Sequence, residues 1–210
     1  MSSDAAFTKY DFHPVIDVGQ KWNVLDLTGG YNPQAITLKP PSIGRYNEKR
    51  EGMYTTDLFS GVRNIHVGLD IWVPAGTPVH AFADGKVLFF RDNDNPGDYG
   101  PTIVTSHRLS AKLFQQDAVD DQEVMVCALF GHLTRDSLQN VSDGMAFGSG
   151  DIIARVGDHL ENGGWVPHLH FQLSLERPHE PDMPGVVSEE HRQESLIRYP
   201  DPQLILGRYY

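Results

Sequence analysis

A chain of 210 residues has room for one well-buried domain with extensions and too little for two full domains. Its formal net charge of -11, with Lys and Arg scattered along the chain, excludes a large nucleic-acid footprint or an anionic-membrane surface, since both need a basic face. No apolar stretch approaches the roughly 20 residues that cross a bilayer, and 20 glycines with 14 prolines suit short strands joined by turns better than a helical bundle.

The chain falls into three zones. Residues 1–55 are punctuated by Gly29-Gly30-Tyr31-Asn32-Pro33 and Lys39-Pro40-Pro41, and read as an N-terminal extension packed on the main body, with Tyr46 to Arg50 able to line or cover a groove. Met1 to Asp11 has no basic region followed by an apolar core, so the expected compartment is the cytoplasm, or the periplasm or exterior if a leader has been removed. Residues 56–180 carry the strand signals. The first is Ile65-His66-Val67-Gly68-Leu69-Asp70-Ile71-Trp72-Val73, aliphatic at every odd position, which predicts one strand with His66, Asp70 and Trp72 on the face away from the core.

After the turn Pro74-Ala75-Gly76-Thr77-Pro78, further strands are expected over 79–83, 85–90 and 102–107, followed by an acidic insertion from Leu109 to Glu123. A strand over 124–132 holds the single cysteine, Cys127, in an apolar run. One cysteine forms neither an internal disulfide nor a thiolate cluster, and this one reads as a small buried hydrophobe. A strand over 152–156 precedes a second alternating segment, His168 to Leu175, whose even positions His168, His170, Gln172 and Ser174 share a face. Residues 181–210 form a Pro-interrupted tail with one short helix expected around 189–197.

The two alternating strands bring imidazoles and one carboxylate out of their core faces. Two histidines and one carboxylate leave a tetrahedral zinc with an open fourth position for water, the pattern of a catalytic site and not of a structural one. Bound zinc lowers the pKa of that water towards about 7 and polarises a carbonyl, as amide hydrolysis requires. Among the other histidines, His107 at a strand end is either an outer neighbour of the site or a satisfied core residue. His13, His80, His159, His179 and His191 carry no partner signal.

Several further motifs now fall into order: Ala75-Gly76-Thr77-Pro78-Val79-His80-Ala81, Asp84-Gly85-Lys86-Val87, Tyr99-Gly100, Phe130-Gly131-His132-Leu133, Gly148-x-Gly150-Asp151 and Pro167-His168-Leu169-His170-Phe171. Together with His66-Val67-Gly68-Leu69-Asp70 they resemble the lysostaphin-type zinc metallopeptidases over about 110 residues. The resemblance implies a mainly β fold, an antiparallel sheet with a barrel-sandwich core (the duplicated hybrid motif). It also implies one Zn2+ on His66, Asp70 and His170, and His132 and His168 as unligated catalytic histidines, one a general base and the other an oxyanion partner. The implied activity is hydrolysis of peptide or amide bonds in peptidoglycan-type or small peptide substrates. Arg63, Tyr99 and Trp165 are expected to contact substrate, as is Arg50.

Two other functions fit part of the pattern. A cupin-like metal-dependent oxygenase also uses a His-x-His pair, but an iron site of two histidines and a carboxylate usually shows His-x-Asp, not a gap of four. A member of the metallopeptidase fold that binds a ligand without catalysis is the other, since fold does not fix function.

Overall fold

A computed structural model describes residues 11–59, 61–115 and 117–210. The chain begins with β1 (Asn23–Val24), β2 (Ser42–Gly44) and β3 (Glu48–Lys49), then β4 (Arg63–His66), β5 (Leu69–Trp72) and β6 (Pro78–His80). Three long strands follow, β7 (Gly85–Asn93), β8 (Gly100–Ser110) and β9 (Glu123–Gly131). After α1 (Arg135–Gln139) come β10 (Ala146–Phe147), β11 (Ile152–Arg155), β12 (His168–Ser174) and β13 (Val186–Ser188), and the chain closes with α2 (Arg192–Arg198) and α3 (Gln203–Leu206).

Eight of these strands form one sheet in the order β1-β2-β5-β12-β9-β8-β7-β10, antiparallel throughout except for the parallel β1–β2 pair. Two small sheets, β11-β6 and β13-β4-β3, complete the mainly β architecture. The long strands follow from sequence. Runs such as Val124 to Phe130 and Thr102 to Leu109 are rich in β-branched and aromatic residues and carry no proline.

Both faces of the central strands are covered. On one, Leu69, Ile71, Phe130, Leu169, Phe171 and Leu173 are fully buried in the largest apolar cluster. On the other, Cys127 and Leu129 of β9 pack with Ile65, Val67, Tyr99, Met183, Val187 and Tyr199. Residues far from the sheet in sequence therefore roof its second face, and the even-numbered positions of β5 and β12 are buried too. Burial also lifts the Cys127 thiol to about 11, which suits an unreactive packing residue.

The strand expected over 65–73 is broken. β4 ends at His66 in the three-stranded sheet, and β5 starts at Leu69 in the large one. Between them the Val67 N–H donates to the Gly185 carbonyl at 3.0 Å, and Gly68 passes directly against the His170 ring. A Cβ on residue 68 would lie 2.3 Å from His170 Cε1, so only glycine lets the backbone cross the imidazole there. The strand expected over 79–83 is shorter: β6 stops at His80, and Ala81 bonds instead to the loop at Gly150 and Asp151. The C-terminal helix begins later than expected, at Arg192, because residues 189–191 form the turn that leads into it.

Residues 1–10 of the N-terminal zone lie outside the described residues. Of the rest, Val15 and Ile16 are fully buried in the main cluster, and β2 pairs directly with β5. Trp22 packs edge-on against Tyr209 at 5.2 Å and donates its indole N–H to the Tyr209 carbonyl at 3.1 Å.

Candidate metal centre

Strand register assembles the site. β12 lies between β5 and β9, pairing His170 with Asp70 on one side and with Gly131 on the other. His132 follows Gly131 immediately and turns with a positive φ of 62°, which swings its ring out of the β9 pleat. β4 delivers His66 from the neighbouring sheet. The structure thus brings together His66, Asp70, His132, His168 and His170, each no more than 5% exposed.

Three of their atoms converge. His66 Nε2 lies 3.3 Å from Asp70 Oδ1 and 3.2 Å from His170 Nδ1, and His170 Nδ1 lies 3.0 Å from Asp70 Oδ1. The outward ring nitrogens decide what these atoms are. His66 Nδ1 faces the Arg45 carbonyl at 2.8 Å, an oxygen that can only accept, so Nδ1 carries the proton and Nε2 turns a lone pair inward. His170 Nε2 faces Gln172 Oε1 at 3.1 Å, and that amide is oriented by its own donation to the Pro184 carbonyl. His170 therefore also turns a lone pair, on Nδ1, towards the centre. Two lone pairs and a carboxylate oxygen at this spacing repel one another unless a cation lies among them. Ligands about 2.0–2.1 Å from a tetrahedral zinc are about 3.3 Å apart, close to the edges of this triangle. The donor set fits zinc.

His132 and His168 are held in the same manner. His132 Nδ1 donates to the Asn162 carbonyl at 2.9 Å, and His168 Nδ1 donates to the Val166 carbonyl at 2.8 Å. Their rings lie 4.1 Å apart, and His168 also stacks on Trp72 at 5.1 Å. Each offers Nε2 as a free base. Burial, with Arg50 adding to it, lowers the His66 pKa to about 4. Burial and the neighbouring His168 and His170 hold that of His132 well below its usual value, and burial lowers that of His168. Burial works against the charge of Asp70, but the Arg50 guanidinium bonded to its Oδ2 outweighs it and holds the carboxyl well below the usual carboxylate range.

A cavity adjoins these five residues and is lined further by Tyr54, Phe59, Arg63, Tyr99, Trp165 and Met183. Of the expected substrate contacts, Tyr99 donates its hydroxyl to the Met183 carbonyl at 3.1 Å, and its ring packs on His132 and His170. Trp165 forms part of an aromatic wall with Tyr31 and Tyr54, and Arg63 lies over Phe59 and bonds to the Leu58 carbonyl. Arg50 differs from expectation. It is fully buried behind the cavity wall and gives four of its five N–H donors to Asp70, Glu48, Tyr54 and the Arg45 carbonyl, so it does not reach a substrate.

His107 is a core residue: its ring packs on Phe82 at 4.1 Å, and its nitrogens are taken by Thr105 and the Asp84 carbonyl. Sequence reasoning missed Gln172 as the His170 partner, although it continues the same alternating face. It also missed Asn162 and Arg45, which act through backbone carbonyls that carry no sequence signal.

Residues 64–181 match the model of Peptidase family M23. Among curated relatives, the DD-carboxypeptidase/endopeptidase Mpg of Neisseria meningitidis serogroup B is 29% identical over 111 residues, covering 53% of this chain and 20% of that protein. The Mpg protein of Neisseria gonorrhoeae matches to the same extent, so the matched segment spans about a fifth of the length of these relatives. Among solved structures, the catalytic domain of lysostaphin from Staphylococcus simulans aligns over 76% of this chain and 96% of its own, with a TM-score of 0.44 and 21% identity. A mutant catalytic domain of the prophage-encoded protein EnpA from Enterococcus faecalis aligns over 72% and 90%, with a TM-score of 0.44 and 20% identity.

Proposed function

The chain belongs to peptidase family M23, and on that footing we propose that it is a zinc-dependent hydrolase of peptide bonds. In this reading His66, Asp70 and His170 hold the metal, His132 and His168 move the proton, and the substrate is a peptidoglycan-type or small peptide. The observation that carries it is the triangle of inward-facing acceptors at 3.0–3.3 Å, whose outer nitrogens are already committed to Arg45 and Gln172. The family match favours hydrolysis over the oxygenase alternative. Cleavage of cell-wall peptides is suggested by the names of the Neisseria relatives.

Zinc bound here supplies a Lewis acid that polarises the scissile carbonyl and acidifies the attacking water. The chain supplies the rest. In this reading His168, stacked on Trp72, takes the proton. Its Nδ1–H, fixed on the Val166 carbonyl, leaves Nε2 alone to take the proton and return it to the departing amine. His132, its ring 4.1 Å from that of His168, has its Nδ1–H committed to the Asn162 carbonyl, so it stabilises the oxyanion only in the form that carries a second proton on Nε2. The aromatic wall of Tyr31, Tyr54 and Trp165 excludes water from one flank.

The test is metal content combined with hydrolysis of muropeptides and small peptides. Purified protein should contain one zinc per chain and cleave at least one such substrate. His168→Ala should keep its zinc and lose rate by about 10²-fold or more, the scale of a general acid–base group. Zinc-loaded protein that cleaves neither class, or a His168→Ala variant that cleaves as fast as the parent, would contradict the proposal.

A further inference from the structure

We infer that Arg50 is a positioning residue of the metal centre, holding Asp70 to a single ligating oxygen and fixing His66 through a shared carbonyl. The inference rests on the metal site proposed above and assigns part of it to a segment outside residues 64–181, the region that matches the family.

The guanidinium is fully buried, in space that Gly44 leaves open: a Cβ on residue 44 would lie 2.8 Å from Arg50 Nη2 and 2.7 Å from Trp72 Cζ3. Its backbone is tied to β4 through the Arg50 N–H, which donates to the Asn64 carbonyl at 2.8 Å. Four acceptors surround the side chain. Nη1 donates to Asp70 Oδ2 at 2.7 Å and to the Tyr54 hydroxyl at 3.0 Å, Nε donates to Glu48 Oε2 at 3.0 Å, and Nη2 donates to the Arg45 carbonyl at 3.2 Å.

Two consequences follow from this geometry. The short bond to Oδ2 removes that oxygen from the metal side of the carboxylate, while Oδ1 remains in the triangle with His66 and His170. A carboxylate free at both oxygens can chelate a cation through both and fill the position that a substrate or water needs. With Oδ2 occupied, Asp70 offers one ligand. In addition, the Arg45 carbonyl accepts from both Arg50 Nη2 and His66 Nδ1, so one guanidinium anchors the acceptor that orients His66. Glu48, 6% exposed and bonded to Nε, balances the buried cation. Lysine offers a point charge without this planar fork, and reaches one or two of the four acceptors at most.

The experiment titrates Co2+ and Zn2+ into metal-free full-length protein, reading the visible ligand-field bands of cobalt and zinc affinity by chelator competition. Arg50→Gln should weaken zinc binding by about 10–100-fold, the usual effect of losing an outer partner of a metal ligand. It should also reduce the cobalt band intensity as Asp70 becomes bidentate and coordination number rises. Arg50→Lys should fall between Gln and the parent in both readouts. If Arg50→Gln does not fold, the double variant Glu48→Met with Arg50→Met removes both buried charges together and is measured in the same way. A variant that melts at lower temperature yet shows the parent's zinc affinity and cobalt spectrum would overturn the inference and leave Arg50 a structural ion pair. Failure of the unsubstituted protein to bind either metal would instead sink the metal site itself, and this inference with it.

Discussion

Replacing Gly68 by alanine tests how tightly the fold is built around His170. The built Cβ lies 2.3 Å from His170 Cε1, 2.5 Å from Nε2 and 3.1 Å from Nδ1, where ordinary contacts are 3.4–4 Å. Two ring atoms are therefore about 1 Å too close. The Gly68 φ is not in the left-handed region, so the backbone accepts alanine and the collision accounts for the whole effect. The ring has little room to retreat, because its Nε2 is held by Gln172 and its strand lies between β5 and β9. Forcing a methyl into such a space costs about 1–3 kcal/mol. Relief by turning the ring takes Nδ1 out of the 3.0–3.3 Å triangle, and a displacement of about 1 Å in an active site costs about 10²-fold in rate. Thermal melts in chelator would show a modest loss of stability, and competition with a chromophoric chelator would show strongly weakened zinc binding. Gly29→Ala, whose Cβ meets nothing within 4 Å, is the control and should behave as the parent. A Gly68→Ala protein with unchanged zinc affinity and rate would refute the reasoning.

Burial lowers the His107 pKa from 6.5 to about 4. Its neutral form therefore stabilises the fold fully above pH 6.5, and that contribution, about 3 kcal/mol, is lost as pH falls from 6.5 towards 4, where the unfolded chain takes up the proton first. Urea unfolding at pH 7.5 and 4.5 should show a flatter pH dependence for His107→Gln than for the parent, and equal slopes would contradict this. Deleting residues 1–45 removes Val15, Ile16 and Ile43, all fully buried, at about 1.5–3 kcal/mol each. That sum approaches the whole stability of a typical domain, about 5–15 kcal/mol, so circular dichroism should show an unfolded chain. A truncated protein that melts within a few degrees of the parent would make the segment dispensable.

Much of the site could be read from alternation. Period two in 168–175 sets His168 and His170 on one face of one strand, whereas His66 meets Asp70 from a neighbouring sheet across the break at Gly68 and not along a continuous strand. Three features were not legible. The break at Gly68 depends on a ring that arrives from 102 residues further along the chain, and no local propensity signals it. The burial of the polar face depends on Met183, Val187 and Tyr199 folding back over it, a tertiary contact without a periodic signature. Arg50, expected to contact substrate, is buried instead. Its burial follows from the pairing of β3 with β4 and from the space beside Gly44, both of which are set by strand order.

The central claim is that one cation is held by His66, Asp70 and His170, and anomalous diffraction at the zinc edge tests it most directly. Crystals of zinc-loaded protein should give a single strong peak per chain, about 2.0–2.2 Å from His66 Nε2, Asp70 Oδ1 and His170 Nδ1, with His132 and His168 beyond ligand distance. A peak bonded to His168 or His132 in place of His170, or no peak among these residues at full zinc loading, would contradict the account.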